Sequence, residues 1–151
     1  MNTRILKFRP PRIAMALVLV ATTVQWLLPP KATPIYSSAI FAVTLSLAGF
    51  AVMMWAWWQF QQRQVAICPT EKTARLITDG IYRVTRNPMY LGMTMILAGL
   101  AVWFGTMPFY CAPAVFFVII NQAFCPYEEA KLTSAFGEDY KQYRSAVRRW
   151  A

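Results

Sequence analysis

Residues 87–127 read NPMYLGMTMILAGLAVWFGTMPFYCAPAVFFVIINQAFCPY, 41 positions without a charged side chain. A bilayer hydrocarbon core about 30 Å thick is crossed by roughly 20 apolar helical residues, so this stretch is too long for one crossing and long enough for two short ones. Gly105-Thr106-Met107-Pro108 is the natural break within it. The expectation is a helical hairpin with spans at 89–104 and 109–125, and a re-entrant hairpin is the alternative for spans this short. Working outward, no charge lies between Arg12 and Lys31, and none between Lys31 and Arg63. These stretches predict two further spans, 13–28, stopped by Pro29-Pro30, and 35–60. The fold class is therefore an all-α integral membrane protein with about four transmembrane helices. It forms a single membrane domain over 1–151, closed by a cytoplasmic C-terminal helix at 126–149.

Composition agrees with this reading. The chain is 58% hydrophobic and 14% charged, where a soluble domain carries about 25% charge. Its formal charge of +9 alone would also suit a nucleic-acid binder, but the charges fall in blocks at the ends of apolar stretches, so no nucleic-acid partner is expected. Of the 15 Lys and Arg residues, 14 lie before span one, between spans two and three, or after span four, and only Lys31 lies opposite. The positive-inside rule then puts both termini in the cytoplasm, as in a bacterial inner membrane. All six acidic residues fall on the same side, so any polar site should open there. The basic and then apolar N-terminus resembles a signal peptide. The Pro-Pro-Lys-Ala-Thr-Pro sequence after it lacks a clean small-x-small site, and an uncleaved anchor is expected.

The chain has no histidine. That excludes a Ser-His-Asp triad, a Cys-His pair and an imidazole metal site, and no metal is expected. Cys68, Cys111 and Cys125 do not form a Cys-x-x-Cys pair and read as buried structural thiols.

Two cytoplasmic segments hold the remaining polar chemistry. The first, residues 74–92, carries a Thr78-Asp79-Gly80 turn signal and a Pro88 suited to the first turn of span three. By physics alone it can be a plain loop with positive-inside arginines and interfacial tyrosines. In the second, Cys125-Pro126-Tyr127-Glu128-Glu129 suits a helix N-terminus. Leu132, Phe136, Tyr140, Tyr143 and Val147 then recur along one helical face, with Gly137 as the candidate break. Such a helix can lie on an anionic leaflet and also close a pocket.

Gly80-Ile81-Tyr82-x-x-x-Arg86-Asn87-Pro88-Met89-Tyr90-Leu91-Gly92, the apolar hairpin, Glu128-Glu129, and Phe136-Gly137-Glu138-Asp139-Tyr140-x-x-Tyr143 follow in order. This set resembles the isoprenylcysteine carboxyl methyltransferase family and the related phospholipid methyltransferases, over residues 74–149. The resemblance implies S-adenosylmethionine as cofactor. It also implies that Ala74, Arg75, Leu76 and Ile77 contact the cofactor largely through backbone, that Tyr82 lines its pocket, and that Arg86 pairs its carboxylate. Asn87, Pro88, Met89 and Tyr90 match the family's box, and Glu128 matches its cofactor-binding glutamate. Glu129, if it faces solvent, is expected to matter little to binding. No catalytic acid or base is assigned, because methyl transfer from a sulfonium is an in-line displacement driven by alignment and exclusion of water.

Two departures bear on substrate. Asn87 stands where the family commonly has histidine, and Phe124 stands where prenylcysteine enzymes place an arginine, one turn before the glutamate. Phe124 as a substrate-binding residue favours a neutral, lipophilic acceptor reached from the bilayer. The rival readings are a non-enzymatic helical membrane protein with a degenerate site and an NADPH-dependent membrane reductase. The charge partition makes a direct prediction: reporter fusions or cysteine labelling place both ends and residue 75 in the cytoplasm and residue 31 outside. A C-terminus outside would remove the four-pass arrangement.

Overall fold

A computed structural model of the chain describes residues 9–28, 35–62 and 76–151. Helix α1 spans Pro10–Leu27, with prolines in its first turn where a missing N–H costs nothing. Helix α2 spans Ala39–Gln62. A short 3-10 turn at Gly80–Arg83 leads to α3, Pro88–Phe104. Helix α4, Met107–Ile119, runs through a π-helical stretch, Ile120–Phe124, into α5, Cys125–Phe136. Gly137 then separates α5 from α6, Glu138–Ala146. Helices α1 and α2 and the continuous helix Met107–Phe136 are long and apolar enough to cross a membrane, and α3 is a shorter apolar helix. The chain is an all-α membrane protein.

The hairpin turn falls at Gly105, within the expected tetrad. Its φ of +66° is left-handed, and its N–H caps α3 by donating to the Ala101 carbonyl at 2.9 Å. The boundary expected between a span at 109–125 and a separate helix from 126 lies instead inside one helix. Pro126 has no N–H to give the carbonyl four residues back, which in a regular helix leaves a gap in the ladder. The backbone widens just ahead of it, with the Cys125 N–H bonding the Ile120 carbonyl five residues earlier, and the helix continues. The break comes at Gly137, where φ is +54°.

Antiparallel α2 and α3 form the tightest contact. The buried residues of α2 are Ala42, Gly49, Ala56 and Gln59, three small side chains seven residues apart and one amide. Opposite them α3 presents Gly92 and Gly99, also seven apart. A Cβ built on Gly92 would stand 2.5 Å from the Gly49 carbonyl oxygen, and one on Gly99 would stand 2.1 Å from Ser46 Oγ. Small residues in register let two membrane helices approach backbone to backbone, where dispersion rather than water expulsion holds them together. Many large side chains of α1 and α2 point outward, Leu19, Ile40, Leu47 and Phe50 among them. Hydrocarbon solvates such a surface at no cost. Helix α1 packs on the other side, where Ile13, Ala14, Leu17 and Val18 meet a cluster containing Tyr90, Leu97, Phe116, Ile120 and Phe124.

The cysteines differ from the expectation in part. Cys125 is buried, but Cys111 is exposed on α4, because the adjacent small Ala112 takes the inward position. Cys68 lies outside the described residues.

The α2–α3 contact predicts that Gly92→Leu destabilises the protein by at least the about 1–3 kcal/mol typical of overpacking, since backbone and not a movable side chain is struck. Leu19→Phe on the outer face of α1 leaves stability unchanged. Thermal unfolding in detergent distinguishes the two; equal melting temperatures would refute the close contact.

Candidate active site

The site is built at the end of the bundle where α2 finishes and α3 begins. Gln59, one turn before the end of α2, reaches into the loop that precedes α3. Its Nε2 donates to the Asp79 carbonyl at 3.3 Å, and its Oε1 accepts from the Ile81 N–H at 3.2 Å. Gly80 sits between these contacts with φ +58°, and a Cβ there would stand 2.0 Å from Gln59 Nε2. A buried amide thus satisfies two loop backbone groups, as buried polar groups require. The 3-10 turn that follows buries Ile81 and Tyr82, and the Tyr82 ring meets Phe60 edge-on with centroids 5.7 Å apart.

Onto this turn fold α5 and α6. Ile77, Ile81 and Tyr82 form one buried cluster with Ala56, Tyr140 and Tyr143, and Leu132, Phe136 and Val147 pack against it. The apolar face read from the tail sequence is therefore packed on the loop. The Tyr143 hydroxyl donates to the Tyr82 carbonyl at 2.7 Å. Burial raises the phenol pKa of Tyr82, Tyr140 and Tyr143 above the ordinary tyrosine value, so all three stay neutral hydrogen-bonding groups and none is a base.

The polar layer centres on Glu129, which is buried. Arg149 grips it with both arms, Nε to Oε1 at 2.8 Å and an Nη to Oε2 at 2.9 Å. Arg86 meets it at 3.1 Å and Arg144 at 3.8 Å. Hydrogen bonding to Glu129 raises the pKa of Arg149 further. The condition under which Glu129 would matter little, a solvent-facing side chain, is not met: one step along α5 from Glu128 is a rotation of about 100°, which turns residue 129 inward to the arginines. Arg86, expected to serve the cofactor carboxylate, gives an Nη to Glu129 and to the Tyr140 hydroxyl at 3.3 Å, while its Nε is buried without a partner.

Asn87 is also buried; its Nδ2 donates to the Arg149 carbonyl at 3.3 Å and its N–H to Thr85 Oγ1 at 3.2 Å. Pro88 opens α3, and Met89 packs toward the Tyr82 cluster. The Tyr90 hydroxyl donates to Glu128, joining the first turn of α3 to the first turn of α5. Phe124 is buried beside Tyr90, Phe116 and Cys125, on the same face of the helix as Glu128. Leu76 and Ile77 lie in or against the Tyr82 cluster, and Ala74 and Arg75 lie outside the described residues. No metal-binding group of His, Cys, Asp or Glu occurs among the described residues.

Sequence reasoning missed Thr85, Asn121, Arg149 and Gln59. Arg149 was absorbed into the positive-inside count, and nothing in its immediate sequence distinguishes it from Arg148. Gln59 did carry a signal: it is a polar residue near the end of an apolar span.

The fold and site together describe a helical membrane protein with a polar layer at one end of its bundle, where arginines gather on Glu129. The phospholipid methyltransferase family model matches residues 37–139, from the start of α2 into α6. The chain belongs to that family. It is similar, at 37% identity over 62 residues, to an uncharacterised protein of Haemophilus influenzae, covering 41% of this chain and 98% of that one. It is also similar to protein-S-isoprenylcysteine O-methyltransferase B of Arabidopsis thaliana, at 32% identity over 51% of this chain and 39% of that protein. The protein-S-isoprenylcysteine O-methyltransferase of Schizosaccharomyces pombe is 35% identical over 48% of this chain and 30% of its own length. The chain thus spans about a third of the isoprenylcysteine methyltransferases it matches. No solved structure matches it.

The geometry separates the adjacent glutamates. Glu129→Gln leaves buried arginines without their counter-charge and lowers stability by about 3–5 kcal/mol, the cost of breaking a buried pair from one side. Glu128→Gln keeps a hydrogen-bonding partner for Tyr90 and leaves the melting temperature near that of the parent. Equal effects on thermal unfolding would overturn this division of labour.

Proposed function

We infer that the chain is an S-adenosylmethionine-dependent methyltransferase that modifies a small lipophilic acceptor at the cytoplasmic face of a bacterial inner membrane. The observation that carries this reading is the hydrogen bond from Tyr90 to Glu128, which joins the two segments whose residues resemble the family's cofactor box and glutamate, both inside the matched range. The side chains available suit the cofactor's chemistry. Glu128 is half-buried and can accept from a ribose hydroxyl or an ammonium. The partnerless Arg86 Nε is a donor for a carboxylate, and Tyr82 and Tyr90 offer rings to an adenine or a sulfonium. When bound, S-adenosylmethionine supplies a methyl group already activated by the sulfonium charge.

The residues of this chain then have three tasks. Glu128 and Tyr90 fix one end of the cofactor, while the loop backbone near Leu76 and Ile77 borders it. The apolar cluster around Phe124, Phe116 and Ile120 excludes water from the side facing the bilayer. The acceptor enters from that side with its reactive group ionised or nearly so, because the site offers no imidazole, Tyr82 holds its proton and Glu128 is bonded to Tyr90. A carboxylate buried beside Phe124 would lose its hydration, at a cost of about 2–7 kcal/mol or more, without gaining a cation. Arg149 and the Arg86 Nη are engaged with Glu129, and the Arg86 Nε is the donor offered to the cofactor's own carboxylate. A neutral or thiol-bearing lipophile fits better.

Calorimetry in detergent tests the reading. S-adenosylmethionine binds, and Glu128→Gln weakens that binding by roughly 1.5–3 kcal/mol, the scale of a hydrogen bond to a charged group. Absence of binding would refute the assignment. Farnesylcysteine analogues are methylated negligibly, and Phe124→Arg increases binding of the prenylcysteine carboxylate. Robust turnover of a prenylcysteine by the unaltered protein would overturn the choice of acceptor.

A further inference from the structure

We propose that residues 147–150 act as a strap that sets the spacing between the two walls of the site, with Arg149 as its positioning residue. The proposal rests on the cofactor reading above and goes beyond the family match, which ends at residue 139. After α6 the chain turns extended at Val147 and runs between the loop before α3 and the π-helical stretch before α5. On the loop side, the Arg149 carbonyl accepts from Thr85 Oγ1 at 2.8 Å and from Asn87 Nδ2 at 3.3 Å, and the Arg148 carbonyl accepts from the Arg86 N–H at 3.1 Å.

On the helix side, the Arg149 guanidinium holds both Glu129 oxygens and donates to Asn121 Oδ1 at 3.0 Å. Trp150 adds an Nε1 bond to the same Asn121 oxygen at 3.0 Å, and its ring lies 4.8 Å from that of Phe117. One residue therefore binds the loop through its backbone and the helix through its side chain. The loop positions it holds, 85 and 87, lie five and three residues before Tyr90. The helix position it holds, 129, immediately follows Glu128. The π turn is a local departure from regular α-helical spacing, and Asn121 inside it is held from outside by two donors. Thr85 is fully buried and Asn87 nearly so, and both side chains point at the strap. On this geometry Asn87 serves the cofactor indirectly, by fixing where α3 begins.

Hydrogen exchange on the full-length protein in detergent, followed by mass spectrometry, tests the strap without any ligand. Arg149→Met raises exchange in residues 85–91 and 119–130, while the α2–α3 contact around Gly49 and Gly92 keeps its protection. Thr85→Val, which keeps the shape and removes one loop bond, raises exchange in 85–91 alone and serves if Arg149→Met does not fold. Increased exchange confined to 147–151 in these variants would overturn the proposal, because a tail that merely packs would fray alone. With S-adenosylmethionine, Arg149→Met weakens binding by about tenfold, the effect of losing a charged hydrogen bond that aligns the site. A parent that binds and an Arg149→Met variant that binds equally well would overturn the strap and leave the methyltransferase reading standing. A parent that does not bind would overturn that reading, while the exchange result still decides the strap.

Discussion

Glu129 carries one negative charge and faces the guanidinium groups of Arg86, Arg149 and, more distantly, Arg144. Those arginines come from the loop before α3, the C-terminal segment and α6, so a single carboxylate holds three segments at this end of the bundle against α5. Its burial makes the arrangement directional. A carboxylate removed from water is stable only if paired and hydrogen-bonded, and here both oxygens are. Arg86 also donates to the Tyr140 hydroxyl at 3.3 Å, and its Nε is buried without a partner.

The membrane part solves a different problem. Helix α2 buries almost nothing large, and its contact with α3 depends on Gly49, Gly92 and Gly99 lying in register. That register carries Gln59 to the point where its amide can hold Asp79 and Ile81. The same packing also delivers Tyr90, in the first turn of α3, to Glu128. A glycine stripe in the apolar region and a hydrogen bond in the polar region are thus two ends of one alignment, since α3 cannot slide along α2 without moving Tyr90.

The two rows of polar contacts divide the work. Glu128 meets Tyr90, while Glu129 meets Arg149, which also holds Asn121 and, through its carbonyl, Thr85. Adjacent residues on a helix point about 100° apart, which is why neighbouring glutamates can have such different roles. The aromatic residues of the tail, Tyr140 and Tyr143, close the third side by packing against Tyr82.

The sequence by itself determined the membrane architecture, because hydrocarbon thickness and charge placement act on consecutive residues and leave their record along the chain. The uncharged run 87–127 and the turn at Gly105 were legible for that reason, as were the loop box and the glutamate, which carry a family pattern in order. Tertiary structure alone decided that Glu129 faces inward, that Arg86 is engaged by it, that the helix runs on through Pro126, and that Arg149 differs from Arg148. Each of these depends on which groups from distant parts of the chain meet, and on a rotation or a π turn that no local pattern records. A buried charge chooses its conformation by the partner it finds, and that partner is fixed only when the helices have packed.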